Sequence, residues 1–290
     1  MKEALFTLLA EAVDYAGLFP PAALDMKAAV TEYAAHREEP DAWMLGRFVL
    51  PATRLDEWAR EAPPTVEGNP WPLSVLAGAF DPVMRDTIAA FNQRERGRGM
   101  IDTVETRAAT PREMPSASLT SGVAIFVEIP ISDDPAPLLD AIRGAGVRAK
   151  VRTGGTTPEA FPTAQQVARF IRRCVERDII FKATAGLHHP LRAEYRLSYE
   201  DGAQQGTMFG FLNVLLATMI AREGGGQKDV TAALEERDPV ALTATDEAVV
   251  WRGRAFKIAS LRAGRTRSIT GFGSCSFREP VTDLKALGLL

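Results

Sequence analysis

VAIFVEIPISDDPAPLLDAIRGAGVRAKVRTGG, residues 123–155, holds a strand, a helix and a second strand in 33 residues. In VAIFVEIP, Val123, Ile125, Val127 and Ile129 share one face, as the two-residue period of a strand requires. APLLDAIRGAG (136–146) is helical in pattern and stops at a glycine. RAKVRTGG (148–155) is again strand-like. If the apolar face of each strand meets the helices, then Ala124, Phe126 and Glu128 face the other way. So do Lys150 and Arg152.

The same alternation extends in both directions. Strand-like runs are GRFVLPA (46–52), LSVLAGAF (73–80), MIDTVETRA (100–108), IIFKATAG (179–186), TMFGFLN (207–213) and SITGFGSCSF (268–277). With the two above they make eight. DPVMRDTIAAFNQRE (81–95) opens on an Asp cap with Pro in its first turn, and TAQQVARFIRRCVERD (163–178) is amphipathic. Eight strands in βα alternation predict the α/β class, as a (β/α)8 TIM-like barrel with an N-terminal helical extension. The chain reads as one domain over residues 1–290, with 1–42 as a helical cap. In the cap, Leu5, Leu8, Leu9, Ala12 and Val13 fall at helical spacing. GLFPPA (17–22) then interrupts the helix, because Pro20-Pro21 cannot continue it. Two segments fit less well: TMFGFLN could open a helix, and ATPREMPSASLTSG (109–122) shows no helix. A doubly wound open sheet is the alternative; the GxGxxG that usually follows its first strand is absent.

Composition limits the function classes. The chain is 46% hydrophobic and 24% charged with a net charge of -3, which suits a globular protein and gives nucleic acid no basic surface. No apolar run reaches the roughly 20 residues of a membrane span. Cys174 and Cys275 form no CxxC, so neither a structural zinc nor a disulfide framework is expected, and a reducing cytoplasm suits them. The expected partner is a small molecule, with homo-oligomers allowed; no cofactor is implied.

One bias points to chemistry. Of 34 basic residues only seven are lysines, yet Lys150 and Lys182 sit inside strands. A lysine amine, unlike a guanidinium, can lose its proton and attack a carbonyl. On alternation, Lys182 and Thr184 share a face, so Glu128, Lys150, Arg152 and Lys182 come together near the strand ends where barrel enzymes work. A charge-balanced structural network is the competing reading. His188 and His189 follow Gly186 on a loop. His188 suits proton transfer and His189 substrate binding; a divalent metal on Glu128, His188 and His189 is the alternative, and no metal is assigned. Thr153, Gly154 and Gly155, with Gly273, Ser274 and Ser276, offer backbone and hydroxyl donors to an anion.

AKVRTGG, an amphipathic helix, then FKATAG resembles the strand–helix–strand core of deoxyribose-phosphate aldolase and related Schiff-base aldolases. Gly273-Ser274-Cys275-Ser276 is similar to the family's phosphate loop. The resemblance covers about 40 contiguous residues plus the last strand. It implies Lys182 as an imine-forming nucleophile, supported by Thr184 and Gly186, acting as a lyase on a small anionic carbonyl substrate. The family's second lysine is missing from TMFGFLN, and Glu128 stands for its aspartate. The expected aids are Lys150 and Arg152 lowering the Lys182 pKa, Glu128 or His188 moving protons, and Gly155, Ser274 and Ser276 holding the anionic end. A metal-dependent isomerase or hydrolase and a non-catalytic metabolite binder are the other two readings.

Overall fold

The computed structural model describes residues 2–64, 68–115 and 122–290. Along the chain, α1 (Glu3–Leu9) leads into β1 (Val13–Tyr15), and α2 (Met26–His36) into β2 (Leu45–Pro51). Next come α3 (Leu55–Glu61), β3 (Trp71–Leu76), α4 (Pro82–Arg94), β4 (Gly99–Arg107), β5 (Ala124–Glu128) and α5 (Ala136–Ala145). β6 (Arg148–Arg152), α6 (Ala164–Glu176) and β7 (Phe181–Thr184) follow. A long excursion then holds β8 (Ala193–Arg196), β9 (Gln205–Met208), α7 (Phe211–Arg222), α8 (Gln227–Leu234), β10 (Leu242–Ala244), β11 (Ala248–Trp251), β12 (Arg254–Lys257) and α9 (Ile258–Arg267). The chain closes with β13 (Ile269–Ser274) and α10 (Arg278–Ala286).

β1 to β7 and β13 close an eight-stranded barrel in the order β1-β13-β7-β6-β5-β4-β3-β2, every pairing parallel. This is the expected (β/α)8 TIM-like architecture. The cap signals act as read. Asp81 accepts from Met84 N at the start of α4, and Thr163 and Gln166 form a capping box on α6. α5 ends at Gly146 with φ 70°, which costs glycine nothing.

Two of the expected elements shift, so that a strand is gained at one end of the chain and lost near the other. Residues 13–15 are a barrel strand rather than part of a helical cap. The helical spacing misleads because α1 stops at Leu9 and Glu11, at φ 51°, turns the chain before Val13. TMFGFLN contributes no barrel strand: Thr207 and Met208 belong to β9, which pairs antiparallel with β8 outside the barrel, and Phe211 opens α7. Every residue of α7 from Phe211 to Ala221 is buried, so its apolar run shows no period that separates strand from helix. Between β4 and β5 only a short 3-10 turn, Pro111–Glu113, appears among the described residues; 116–121 of the expected helix-free gap lie outside them.

Candidate active site

The barrel interior carries a ladder of alternating charge. β6 and β7 place Lys150 and Lys182 as direct cross-strand partners, where two like charges repel unless something stands between them. Glu105 of β4 does so. Its Oε1 lies 2.6 Å from Lys182 Nζ, and its Oε2 lies 2.7 Å from Lys150 Nζ. Ser74 Oγ donates to the same Oε1 at 2.7 Å. Lys182 Nζ also donates to Asp14 Oδ2 of β1 at 2.5 Å, and Asp14 Oδ1 accepts from the Arg47 backbone N–H at 2.8 Å. On the other side, Lys150 Nζ lies 2.9 Å from Glu128 Oε2, and Arg107 and Arg152 each reach Glu128 Oε1 at 3.3 Å. The Phe126 ring stands 5.6 Å from Lys182 Nζ.

Thus Glu128, Lys150, Arg152 and Lys182 do converge, as strand alternation implies. Asp14 and Glu105, which complete the ladder, escape sequence reasoning. Asp14 lies in a stretch of helical spacing, and Glu105 in MIDTVETRA, whose mixed polarity gives no clean face. An acidic residue in the middle of a barrel strand was the available signal.

Their presence corrects the electrostatics. Lys150 and Arg152 were expected to depress the Lys182 pKa. Burial does push it down, but Asp14 and Glu105 outweigh burial and hold the ammonium above its ordinary range. Burial would raise Glu105, yet Lys150 and Lys182 hold its carboxyl far below the usual carboxylate range. Glu128 is lowered likewise: Lys150 and Arg152 overcome its burial.

Above the ladder, at the C-terminal ends of the strands, opens a cavity of about 390 Å³. Glu105, Lys150 and Lys182 form its base, and Arg152, Arg196 and the Gly154–Thr157 loop its wall. The loop after β1 supplies Phe19, Pro20 and Pro21, which gives the YAGLFPPA stretch a place at the mouth. Thr184, His188, His189 and Gly273 also line the cavity. Gly154 and Gly186 owe their identity to packing: a Cβ at either would meet the Phe161 ring, at 2.4 and 2.8 Å.

Three expected anion-binding hydroxyls are engaged elsewhere. Thr153 Oγ1 donates to Ala185 O at 2.8 Å, and Ser274 Oγ to Ser276 O at 2.7 Å. Ser276 Oγ accepts from the Glu279 backbone N–H at the start of α10. None of the three lines the cavity. Their hydroxyls tie the turns together, because a buried turn must satisfy its own backbone.

The histidines part company. His188 Nδ1 lies 2.9 Å from Glu279 Oε2, while His189 Nδ1 lies 2.6 Å from Asp283 Oδ2 and its ring stacks on Tyr195 at 3.6 Å. Glu128 is held by Lys150 and two arginines, so it does not join them. Among the described residues no group of three or more His, Cys, Asp or Glu side chains is arranged to hold a metal ion. The metal reading therefore lacks its ligand set. Nor is any helix among the described residues long and apolar enough to cross a membrane.

The paired ladder favours a specific chemistry. A lysine cannot attack a carbonyl while protonated, and the carboxylates at 2.5 and 2.6 Å are positioned to take its proton. An iminium on Lys182 would carry the same positive charge as the ammonium, so the same two carboxylates suit either. Comparison with protein-family models, curated proteins and solved structures returns no match, so the site alone carries the functional argument.

Proposed function

We propose that the protein is a carbonyl-transforming lyase of aldolase type, in which Lys182 forms an imine with a small anionic aldehyde or ketone. The observation that carries this reading is a buried lysine at the base of a cavity at the catalytic end of a barrel, held between two carboxylates. Asp14 or Glu105 takes the Lys182 proton as the amine attacks and passes it to the carbinolamine oxygen, which leaves as water; the carboxylate, ionised again, stabilises the iminium. Lys150 stays with Glu105 and Glu128 and keeps the ladder balanced. Arg152 and Arg196 supply positive charge on the wall for a carboxylate or phosphate. The resemblance of FKATAG to the aldolase lysine turn agrees with this assignment of Lys182.

The competing reading, a non-catalytic ion-pair network under a metabolite pocket, draws on the fact that every charge of the ladder is paired. Substitution by arginine separates the two. Arginine keeps the charge but forms no productive imine. With candidate carbonyl substrates, Lys182→Arg is expected to lose turnover by several orders of magnitude, and Lys150→Arg much less. A Lys182→Arg protein that folds and keeps most of its activity would leave the lysine as a charge alone.

A further inference from the structure

We infer that Cys275, with His188 as its proton partner, moves the proton at the carbon next to the Lys182 imine. The inference rests on the imine reading above and adds the group that makes and consumes the enamine.

Cys275 follows β13 directly and lines the same cavity as Lys182. Gly273, two residues before Cys275 and the register partner of Thr184 on β7, lines the same cavity. A Cβ there would stand 3.1 Å from Thr184 Oγ1. The sulfur lies 3.8 Å from His188 Nδ1, 3.9 Å from Nε2 and 3.6 Å from the Tyr199 hydroxyl. His188 Nδ1 and Tyr199 OH both converge on Glu279 Oε2, each at 2.9 Å. His188 from the loop after β7 and Tyr199 from the loop after β8 thus meet at the sulfur, and Glu279 of α10 joins the two. Tyr15, bonded to Glu32, is the other titratable neighbour.

Burial pushes the His188 pKa down, but its hydrogen bonds to Cys275 and Glu279 outweigh burial and bring it up to about 10. The imidazole therefore carries a proton at neutral pH. Cys174, the other cysteine, is buried in α6 away from the cavity, and that burial pushes its thiol well up.

Asp14 and Glu105 face the Lys182 nitrogen from below and stay with the iminium charge, whereas the substrate carbons beyond the imine extend into the cavity, where Cys275 lies. In the reactive pair the His188 imidazolium already holds the proton and the sulfur carries none. The sulfur then takes the α-proton: the C–H bond breaks, S–H forms, and the electron pair becomes the enamine double bond as the iminium nitrogen loses its charge. Reversal returns the proton to carbon.

Two readouts on the full chain test this. In the first, iodoacetamide labels the protein at pH 6.5 and the two cysteines are followed by peptide mass spectrometry. Cys275 is expected to react at least about tenfold faster than Cys174 and to slow about tenfold in His188→Gln. Equal labelling, or no change in the variant, overturns the pair. In the second, acetaldehyde, pyruvate and dihydroxyacetone phosphate are incubated in D2O, and α-hydrogen exchange is read by NMR beside borohydride trapping. Cys275→Ser is expected to lose exchange about 100-fold while the Lys182 adduct still forms. Exchange that persists with the adduct overturns the proton role. If no probe is trapped on Lys182, the imine reading fails and the proton step falls with it, a result distinguishable because the labelling contrast does not depend on Lys182.

Discussion

The two ends of the barrel hold cavities of nearly equal size, about 390 Å³ at the C-terminal mouth and about 370 Å³ at the floor. Each has an acid–base pair with short contacts. At the floor, Arg47 grips Asp102 through two hydrogen bonds of 2.6 and 2.9 Å, but the partners are 31% and 35% exposed. Below the mouth, Lys182 and Glu105 are 2% and 3% exposed. Distance alone does not separate them; access to water does. A solvated pair gains little over two solvated ions, whereas a buried pair broken on one side strands a charge away from water. The floor pair is therefore a partly exposed contact, and the interior ladder one whose buried charges depend on each other.

That contrast breaks most easily at Glu105. Glu105→Gln leaves Lys150 and Lys182 facing each other without their shared carboxylate, and a loss of about 3–5 kcal/mol in urea unfolding is expected. A cost below about 1 kcal/mol would place the ladder on a level with the floor. His188→Gln comes next, at roughly 2 kcal/mol near pH 6, since it removes a hydrogen bond between charged groups. Because the His188 pKa is raised from 6.5 to about 10, its contribution is fully present below pH 6.5 and disappears as pH climbs through 10. The gap between variant and parent should therefore narrow from pH 7 to 10.

Acid acts on the ladder in the opposite sense. The Glu105 carboxyl is held below its ordinary 4.5, so its stabilisation is complete above about pH 4.5 and erodes as pH falls further. Parent and Glu105→Gln should converge in stability on that side, which urea titrations between pH 3 and 6 can check. The smallest effect belongs to the floor. Asp102→Asn is expected to cost no more than about 1 kcal/mol, and less as salt is added.

The barrel is legible because β2 to β7 and β13 each read as a strand-like run, with helix signals between most of them. β1 is not, since three residues after a helix-spaced stretch carry no period of their own. The same blindness hid Asp14, whereas Lys150 and Lys182 stood out in a chain that otherwise prefers arginine. Convergence on one interior was readable from alternation. The bridging of two lysines by Glu105 was not, because it depends on the register of β4 against β5 and β6. The loop groups were hardest. Ser274 and Ser276 resemble anion donors until the turn is seen to use both hydroxyls. Glu279, on α10, reaches His188 across 91 residues of chain.

The central claim is that the lysine of this ladder, and not merely its charge, does the chemistry. Borohydride reduction of the intact protein in the presence of small anionic aldehydes and ketones, followed by peptide mapping, tests it most directly. The account predicts a single stable adduct on the peptide carrying Lys182, absent from Lys182→Arg and present in Lys150→Arg. A carbonyl compound that the protein turns over without any adduct on Lys182 would contradict it.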